Sequence, residues 1–78
     1  MRKLHFTLFD IVNGKPFFVC PGECQNADLR SLEYTLRHCS RGTFRVVVQN
    51  SSVIVHVFEF KNTPANITNV MHNLRNII

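Results

Sequence analysis

The chain has 78 residues, of which 45% are hydrophobic and 18% are charged, which is typical of one small globular domain and excludes a disordered chain. Nine Lys and Arg against five Asp and Glu give a formal charge of +4, which favours an anionic partner although no polybasic tract is present. No apolar run approaches the ~20 residues of a membrane span, and an odd number of cysteines argues against a closed disulfide framework. His5, Thr7 and Asp10 interrupt the basic start, which therefore does not resemble a secretory signal. We expect a single domain over residues 1–78, soluble and cytoplasmic, with no membrane partner.

The first predicted element is a β-hairpin. Residues 3–12 alternate between two faces, and Asn13-Gly14 follows them. This dipeptide favours a two-residue type I′ turn, because both central positions of that turn need a positive φ. In the return strand, Pro16 lacks an N–H, which predicts a sheet edge. The register of such a turn predicts one inward-facing set, consisting of Leu4, Phe6, Leu8, Phe17 and Val19.

A helix is predicted over residues 27–40. Asn26 is the expected N-cap, and Asp28 in the first turn favours the helix dipole. Gly42 is expected to end the helix as its C′ residue. The apolar stripe of this helix consists of Leu29, Leu32, Leu36 and Cys39.

Residues 43–60 predict a second hairpin, because two runs of β-branched and aromatic residues flank a short polar break. A two- or four-residue loop places one set on the same face: Phe44, Val46, Val48, Val53, Val55 and Val57. The opposite face then carries Arg45, Val47, Gln49, Ile54, His56 and Phe58. A three-residue loop instead groups Ile54, His56 and Phe58 with Phe44, and the sequence leaves both registers open.

The last element is a helix that begins with Thr63 as N-cap and Pro64 at the first helical position. Its apolar stripe consists of Ile67, Val70, Met71, Leu74, Ile77 and Ile78. The order strand-strand-helix occurs twice, although the two halves show no visible sequence repeat. We predict an α+β fold of order ββαββα, with both helices on one face of a four-stranded antiparallel sheet. The expected core includes Leu4, Phe6, Leu29, Leu32, Leu36, Val46, Val55, Val70 and Leu74.

Two surfaces are candidates for binding. The sheet face away from the helices carries apolar residues, so it is covered either by long side chains such as Arg45 and Lys61 or by a partner or a second copy of the chain. The candidate residues on this face are Arg45, Ile54, His56 and Phe58. The second surface is a helix stripe made of Arg30, Tyr34, Arg37 and Arg41. Arg with an aromatic on one rigid face suits phosphates, bases or an acidic protein surface, or is an ordinary solvated face.

The sequence offers no diagnostic catalytic, metal or cofactor motif. Cys20, Cys24 and His38-Cys39 suggest a zinc site, but a helix over residues 27–40 is ~20 Å long and separates Cys24 from Cys39. A position near a helix N-terminus favours a lowered pKa for Cys24, yet no His and carboxylate companions form a triad with it. We expect no enzyme activity, no metal and no cofactor.

The expected function is therefore a small non-enzymatic protein-binding module, a regulator or inhibitor of a kind common among viral and mobile-element products. Its partner is expected to be another protein, with an acidic surface if the helix stripe binds it. The alternative is a small basic nucleic-acid-binding protein whose Arg residues contact phosphates. The chain lacks an aromatic RNP pattern, a GxxG clamp and a paired-helix reader, which favours the protein partner.

Overall fold

The computed structural model describes residues 4–77 and contains six elements in the order ββαββα. They are β1 (Leu4–Val12), β2 (Lys15–Glu23), α1 (Asn26–His38), β3 (Thr43–Asn50), β4 (Val53–Lys61) and α2 (Pro64–Ile77). The four strands form one antiparallel sheet in the order β2-β1-β3-β4. The predicted α+β architecture is confirmed. Ile78, the last residue of the predicted second stripe, lies outside the described residues. None of the helices within residues 4–77 combines the length and the apolarity that crossing a bilayer requires.

The core lies between the helices and the central strands β1 and β3. It is built from every second residue of these strands and from the apolar stripes of α1 and α2. Its buried members are Leu4, Phe6, Leu8, Cys24, Leu29, Leu32, Leu36, Phe44, Val46, Val48, Ile67, Val70, Met71 and Leu74. Eight of the nine core residues predicted from sequence belong to this set, and the exception is Val55.

Bulges in the edge strands explain why the predicted faces of the two hairpins are partly wrong. In the first hairpin Leu8 pairs with Cys20 and Phe9 with Phe18, so Val19 is an extra residue. Val19 therefore leaves the predicted inward set, whereas Phe17 pairs with Asp10 and lies on the predicted side of the sheet, although it is exposed. The two-residue turn itself is confirmed, with Asn13 at φ 53° and Gly14 at φ 76°.

The second hairpin follows the register of a two-residue loop next to its turn and the register of a three-residue loop beyond a bulge. Its loop has two residues, because Asn50 pairs with Val53. Val48 then pairs with His56 and Gln49 with Ile54, which makes Val55 a bulge. Val55 is 40% exposed, so its prediction as a core residue is wrong. After the bulge, His56, Phe58 and Phe60 lie on the helix side of the sheet.

The ends of α1 differ from the prediction. The helix begins at Asn26, preceded by Gln25, whose side chain makes no capping bond. It ends at His38, with Cys39 as an extended C-cap residue at φ −86°, so Gly42 is not its C′ residue. The start of α2 agrees with the prediction: Pro64 is the first helical residue, and the Asn66 N–H donates to the Thr63 hydroxyl at 3.3 Å.

The two halves of the chain correspond at a spacing of 38, except around the bulges, which lie at Val19 in the first half and at Val55 rather than Val57 in the second. Lys15 and Val53 begin equivalent strands, and the turn residues Asn13 and Ser51 share a positive φ. Leu8 and Val46 are equivalent positions and also pair directly across β1 and β3. The sheet therefore has a pseudo-twofold axis through this pair. Few side chains are the same in both halves: Phe6 and Phe44, Val19 and Val57, Ala27 and Ala65, Leu36 and Leu74, Arg37 and Arg75.

Asn62 connects the second hairpin to the end of α1. It is 5% exposed, and its side-chain N–H₂ donates to the carbonyls of Leu36 at 2.9 Å and Ser40 at 3.1 Å. Its backbone N–H donates to the Gly42 carbonyl at 2.7 Å. The Leu36 carbonyl lies in the last turn of α1, where its only backbone donor within residues 4–77 is the Cys39 N–H at 3.4 Å, and the Ser40 carbonyl lies in the loop that follows. Asn62 therefore fixes where α1 stops.

Leu32 and Leu74 lie in the centre of the core, so truncation of either should leave a cavity. We expect Leu32→Ala and Leu74→Ala each to lower the free energy of unfolding by ~2–5 kcal/mol. Asn69→Ala, on the exposed side of α2, is the control and should change it by less than about 0.5 kcal/mol. Denaturant unfolding followed by circular dichroism measures all three. Losses at Leu32 and Leu74 no larger than that of the control would contradict the placement of the core.

Replacement of Asn62 by Ala should leave the buried Leu36 carbonyl with only the long bond from the Cys39 N–H and the part-buried Ser40 carbonyl without its side-chain donor. We expect a loss of ~1–3 kcal/mol in the free energy of unfolding, with faster amide exchange in the last turn of α1. Asn66→Ala is the control, because its side chain also bonds a backbone carbonyl, that of Lys61, but in an exposed setting. Equal effects of the two substitutions would show that burial of the Asn62 bonds is unimportant.

Candidate protein-binding surfaces

The sheet face away from the helices is an ordered array of sixteen positions, four from each strand, which we call the open sheet face. Cross-strand pairing aligns these positions in four rows. The rows are Glu23-His5-Gln49-Ile54, Pro21-Thr7-Val47-Val57, Phe18-Phe9-Arg45-Glu59 and Pro16-Ile11-Thr43-Lys61. No element within residues 4–77 lies over this array, because both helices pack on the other side.

Large apolar side chains on the open sheet face are accessible to solvent. Phe18 is 63% exposed, Ile54 57% and Val57 51%. Phe9, Ile11 and Val47 lie between them and are half-buried by their neighbours. An exposed set of this kind on a small domain is typical of a surface that binds another protein.

The charges on the open sheet face are balanced. Arg45 and Glu59 face each other across β3 and β4, and the Arg45 Nε donates to Glu59 Oε1 at 2.9 Å. Both side chains are partly solvated, so the pair contributes little to stability. It neutralises the charge near the centre of the face, and Glu23 and Lys61 lie at opposite corners. The face therefore suits a partner that is apolar rather than strongly charged.

The structure separates the four residues predicted from sequence for this face. Arg45 and Ile54 lie on it, whereas His56 and Phe58 point to the helix side of the sheet. The bulge at Val55 reverses the direction of the residues that follow it. The ring of Phe58 packs against the core, and the exposed ring of His56 stacks on it with centroids 5.4 Å apart. His56 and Phe58 are therefore not part of the open sheet face.

The predicted helix stripe is also divided. Arg30 and Tyr34 lie on the exposed side of α1, where the rings of Tyr34 and His38 stack with centroids 3.9 Å apart. Arg41 lies beyond the end of α1, so it does not continue the helical stripe. Within residues 4–77, Arg30 and Arg41 form no ion pair and no side-chain hydrogen bond.

Arg37 is directed towards α2 rather than outward. Its Nε donates to Glu33 Oε2 at 3.0 Å, which forms an i,i+4 ion pair within α1. Its Nη2 donates to the Thr68 hydroxyl at 3.3 Å, and Arg75 from α2 donates to the other Glu33 oxygen at 3.1 Å. Arg37 and Arg75 are equivalent residues of the two halves, and both hold one carboxylate between the helices. Arg37 therefore links α1 to α2, and only part of its guanidinium is available to a partner.

A cleft of about 220 Å³ lies between α1 and β2. Its lining consists of Phe6, Cys20, Pro21, Asp28, Ser31, Leu32 and Thr35. The second half holds Phe58 and Phe60 at the positions equivalent to Cys20 and Gly22, and these rings fill the corresponding space. Gly22 must stay small, since a Cβ there would collide with the Phe6 ring. The cleft thus results from small residues on β2.

The thiols of Cys20 and Cys24 are not activated. Burial raises the pKa of the Cys20 thiol, and the neighbouring Cys39 raises it further. Burial also raises the pKa of Cys24, so the lowered pKa expected from its position before α1 is wrong. Within residues 4–77 no three His, Cys, Asp or Glu side chains are grouped so that they could hold a metal ion.

Comparison of the chain with protein-family models, with curated proteins and with solved structures gives no match.

The charge of Glu33 should make stability depend on pH. Hydrogen bonds from Arg75 and then Arg37 lower the pKa of Glu33 in the folded protein. A carboxyl whose pKa is lower in the folded than in the unfolded protein stabilises the fold. This stabilisation is complete when pH is above the unfolded pKa, and it is lost as pH falls through the folded pKa. The free energy of unfolding of the wild type should therefore exceed that of Glu33→Gln by less than about 1 kcal/mol at neutral pH. This difference should decrease as pH falls below about 4.3, the ordinary pKa of Glu, and vanish once pH is below the lowered folded pKa.

Denaturant unfolding of both proteins between neutral and acidic pH measures the difference. Arg75→Ala provides the control background, because the effect of Glu33→Gln should be smaller there at neutral pH. A difference between wild type and Glu33→Gln that grows on acidification would have the wrong sign for this network.

Proposed function

We propose that this chain is a small non-enzymatic protein-binding module, a regulator or inhibitor whose partner docks on the open sheet face. The observation that carries the proposal is the exposure of Phe18, Ile54 and Val57 on one continuous, charge-balanced face. Aromatic and aliphatic anchors at the centre of an interface, with polar groups around them, are the usual source of binding energy between proteins. The partner is therefore a protein that presents an apolar surface.

The rigidity of the sheet supports this role. The exposed side chains stand on four hydrogen-bonded strands whose opposite face is packed against the core. Little conformational entropy is lost when such a preformed surface binds, so that more of the contact energy appears as affinity. An interface that buries most of the face approaches the roughly 800 Å² per partner of a standard complex.

A second candidate function rests on the outer side of the helices. Arg30 and Arg41 lack an acidic partner within residues 4–77, and the Tyr34–His38 stack offers an aromatic surface beside them. These groups suit phosphates and a base, or an acidic protein surface. Because Arg37 and Arg75 share Glu33, this surface has fewer available cations than the sequence indicates.

Adjacent phenylalanines in β2 provide a matched test of the open sheet face. Phe18 points to this face and Phe17 to the helix side, and both are exposed. Immobilised wild-type protein is used to capture partners from the cells that produce the chain, and mass spectrometry identifies bound protein and nucleic acid. Affinity for the purified partner is then measured by calorimetry. We expect Phe18→Ser to weaken binding at least about tenfold and Phe17→Ser less than about twofold.

A third variant, Arg30→Ala combined with Tyr34→Ala, distinguishes the second candidate. Under the main proposal it leaves the affinity unchanged, and binding persists at raised salt. Binding that is removed by nuclease, that falls steeply with salt and that this variant abolishes would establish the nucleic-acid function instead. Equal losses for Phe17→Ser and Phe18→Ser would exclude the open sheet face as the docking surface.

A further inference from the structure

The outer edge of β4 lacks the prolines that protect the other edge of the sheet, and the bulge at Val55 is its one irregularity. No strand within residues 4–77 pairs with it, so its outward N–H and C=O groups face solvent. From Val53 to Phe58 the strand has no proline and no charged residue. Val53, Ile54, Val55 and Val57 are all exposed along it. Long apolar edges of this kind are templates for pairing with another strand.

The opposite edge of the sheet, β2, is protected. Pro16 and Pro21 remove two backbone donors from it, and Lys15 places a charge near the turn. In β4 the position equivalent to Pro16 is Ile54, and the position equivalent to Pro21 is Glu59. The two halves of the repeat thus differ at the edge itself: one edge is blocked and the other is available.

Charge does not oppose the association of two β4 edges. The chain carries +4, but β4 contributes one acid, Glu59, and one base, Lys61. The cations Arg30, Arg37 and Arg75 lie on the helices. Two copies that meet along β4 therefore bring together strands that are neutral and apolar from Val53 to Phe58.

We propose that β4 pairs antiparallel with β4 of a second copy, so that two chains form one eight-stranded sheet. An antiparallel pair of identical strands has a twofold axis, so each copy uses the same surface. Both outer edges of this sheet are then the proline-containing β2 strands, which stops growth at two chains. The exposed Ile54 and Val57 of the two copies become neighbours, and the two open sheet faces form one surface.

Equivalent positions in the two edge strands allow a matched test. Val55 in β4 corresponds in sequence to Phe17 in β2; Val55 is the unpaired bulge residue, and Phe17 lies on the helix side. Sedimentation equilibrium from low micromolar to near-millimolar concentration should give the wild type a mass that rises from 9.0 kDa to twice that value. Val55→Lys should remain at the monomer mass over this range, because it adds a charge to the apolar edge. Phe17→Lys should dimerise like the wild type.

Amide hydrogen exchange of the wild type gives a second readout that does not depend on any variant. Protection of the β4 amides should increase with protein concentration, while protection in β2 stays constant. A wild type that remains monomeric throughout would overturn the proposal. So would a dimer that Val55→Lys leaves intact and Phe18→Ser disrupts, since that dimer is formed through the open sheet faces. A concentration-independent exchange pattern in β4 would equally exclude pairing at this edge.

Discussion

The pairing of β1 with β3 is the constraint on which the rest of the structure depends. At its centre Leu8 lies opposite Val46, and both side chains are completely buried. Neither ββα unit can bury its helix alone, because the apolar sheet surface under the helices is completed by the central strand of the other unit. The pair brings together residues far apart in the chain, such as Leu4 and Asn50, and therefore carries a loop-closure cost that the local hairpins do not. Folding of the two units is consequently coupled.

This two-layer arrangement determines which surfaces remain for binding. Both helices are used to cover one face of the sheet, and none of the described chain is left to cover the other. Within residues 4–77 the helices carry three arginines against two acids, and the acids and bases of the open sheet face are balanced. Neither the helix layer nor the open sheet face is therefore strongly charged. The open sheet face is distinguished by the large apolar side chains that it exposes.

Local sequence signals predicted the elements, and long-range contacts decided the details. Asn13-Gly14 and Thr63-Pro64 determine their own backbone conformation, so the turn and the start of α2 agree with the prediction. The bulge at Val55 carries no local signal, because the extra residue resembles its neighbours. It occurs where it directs the rings of Phe58 and Phe60 towards the helices.

The end of α1 was missed for a similar reason. Its last carbonyls are bound by Asn62, a residue more than twenty positions away, and no nearby glycine marks the boundary. Consequently Arg41 was assigned to a helix that stops before it. Arg30 and Tyr34 were placed correctly on the outer side of α1, because helical periodicity alone determines that position. The role of Arg37 depends on Arg75 and Thr68 of α2, which periodicity in one helix cannot reveal.

The correspondence between the two halves also has a topological meaning. Residues 39–42 connect the end of α1 to the start of β3, and the pseudo-twofold axis relates Cys39 to Ile77 and Gly42 to Leu4. The same hydrogen bond marks both starting points, from the Cys24 N–H to the Leu4 carbonyl and from the Asn62 N–H to the Gly42 carbonyl. By this symmetry we expect a link of about four residues to be able to join Ile77 to Leu4. A circularly permuted chain with that link, and with its break at residues 40–41, would then trace the same path through both units.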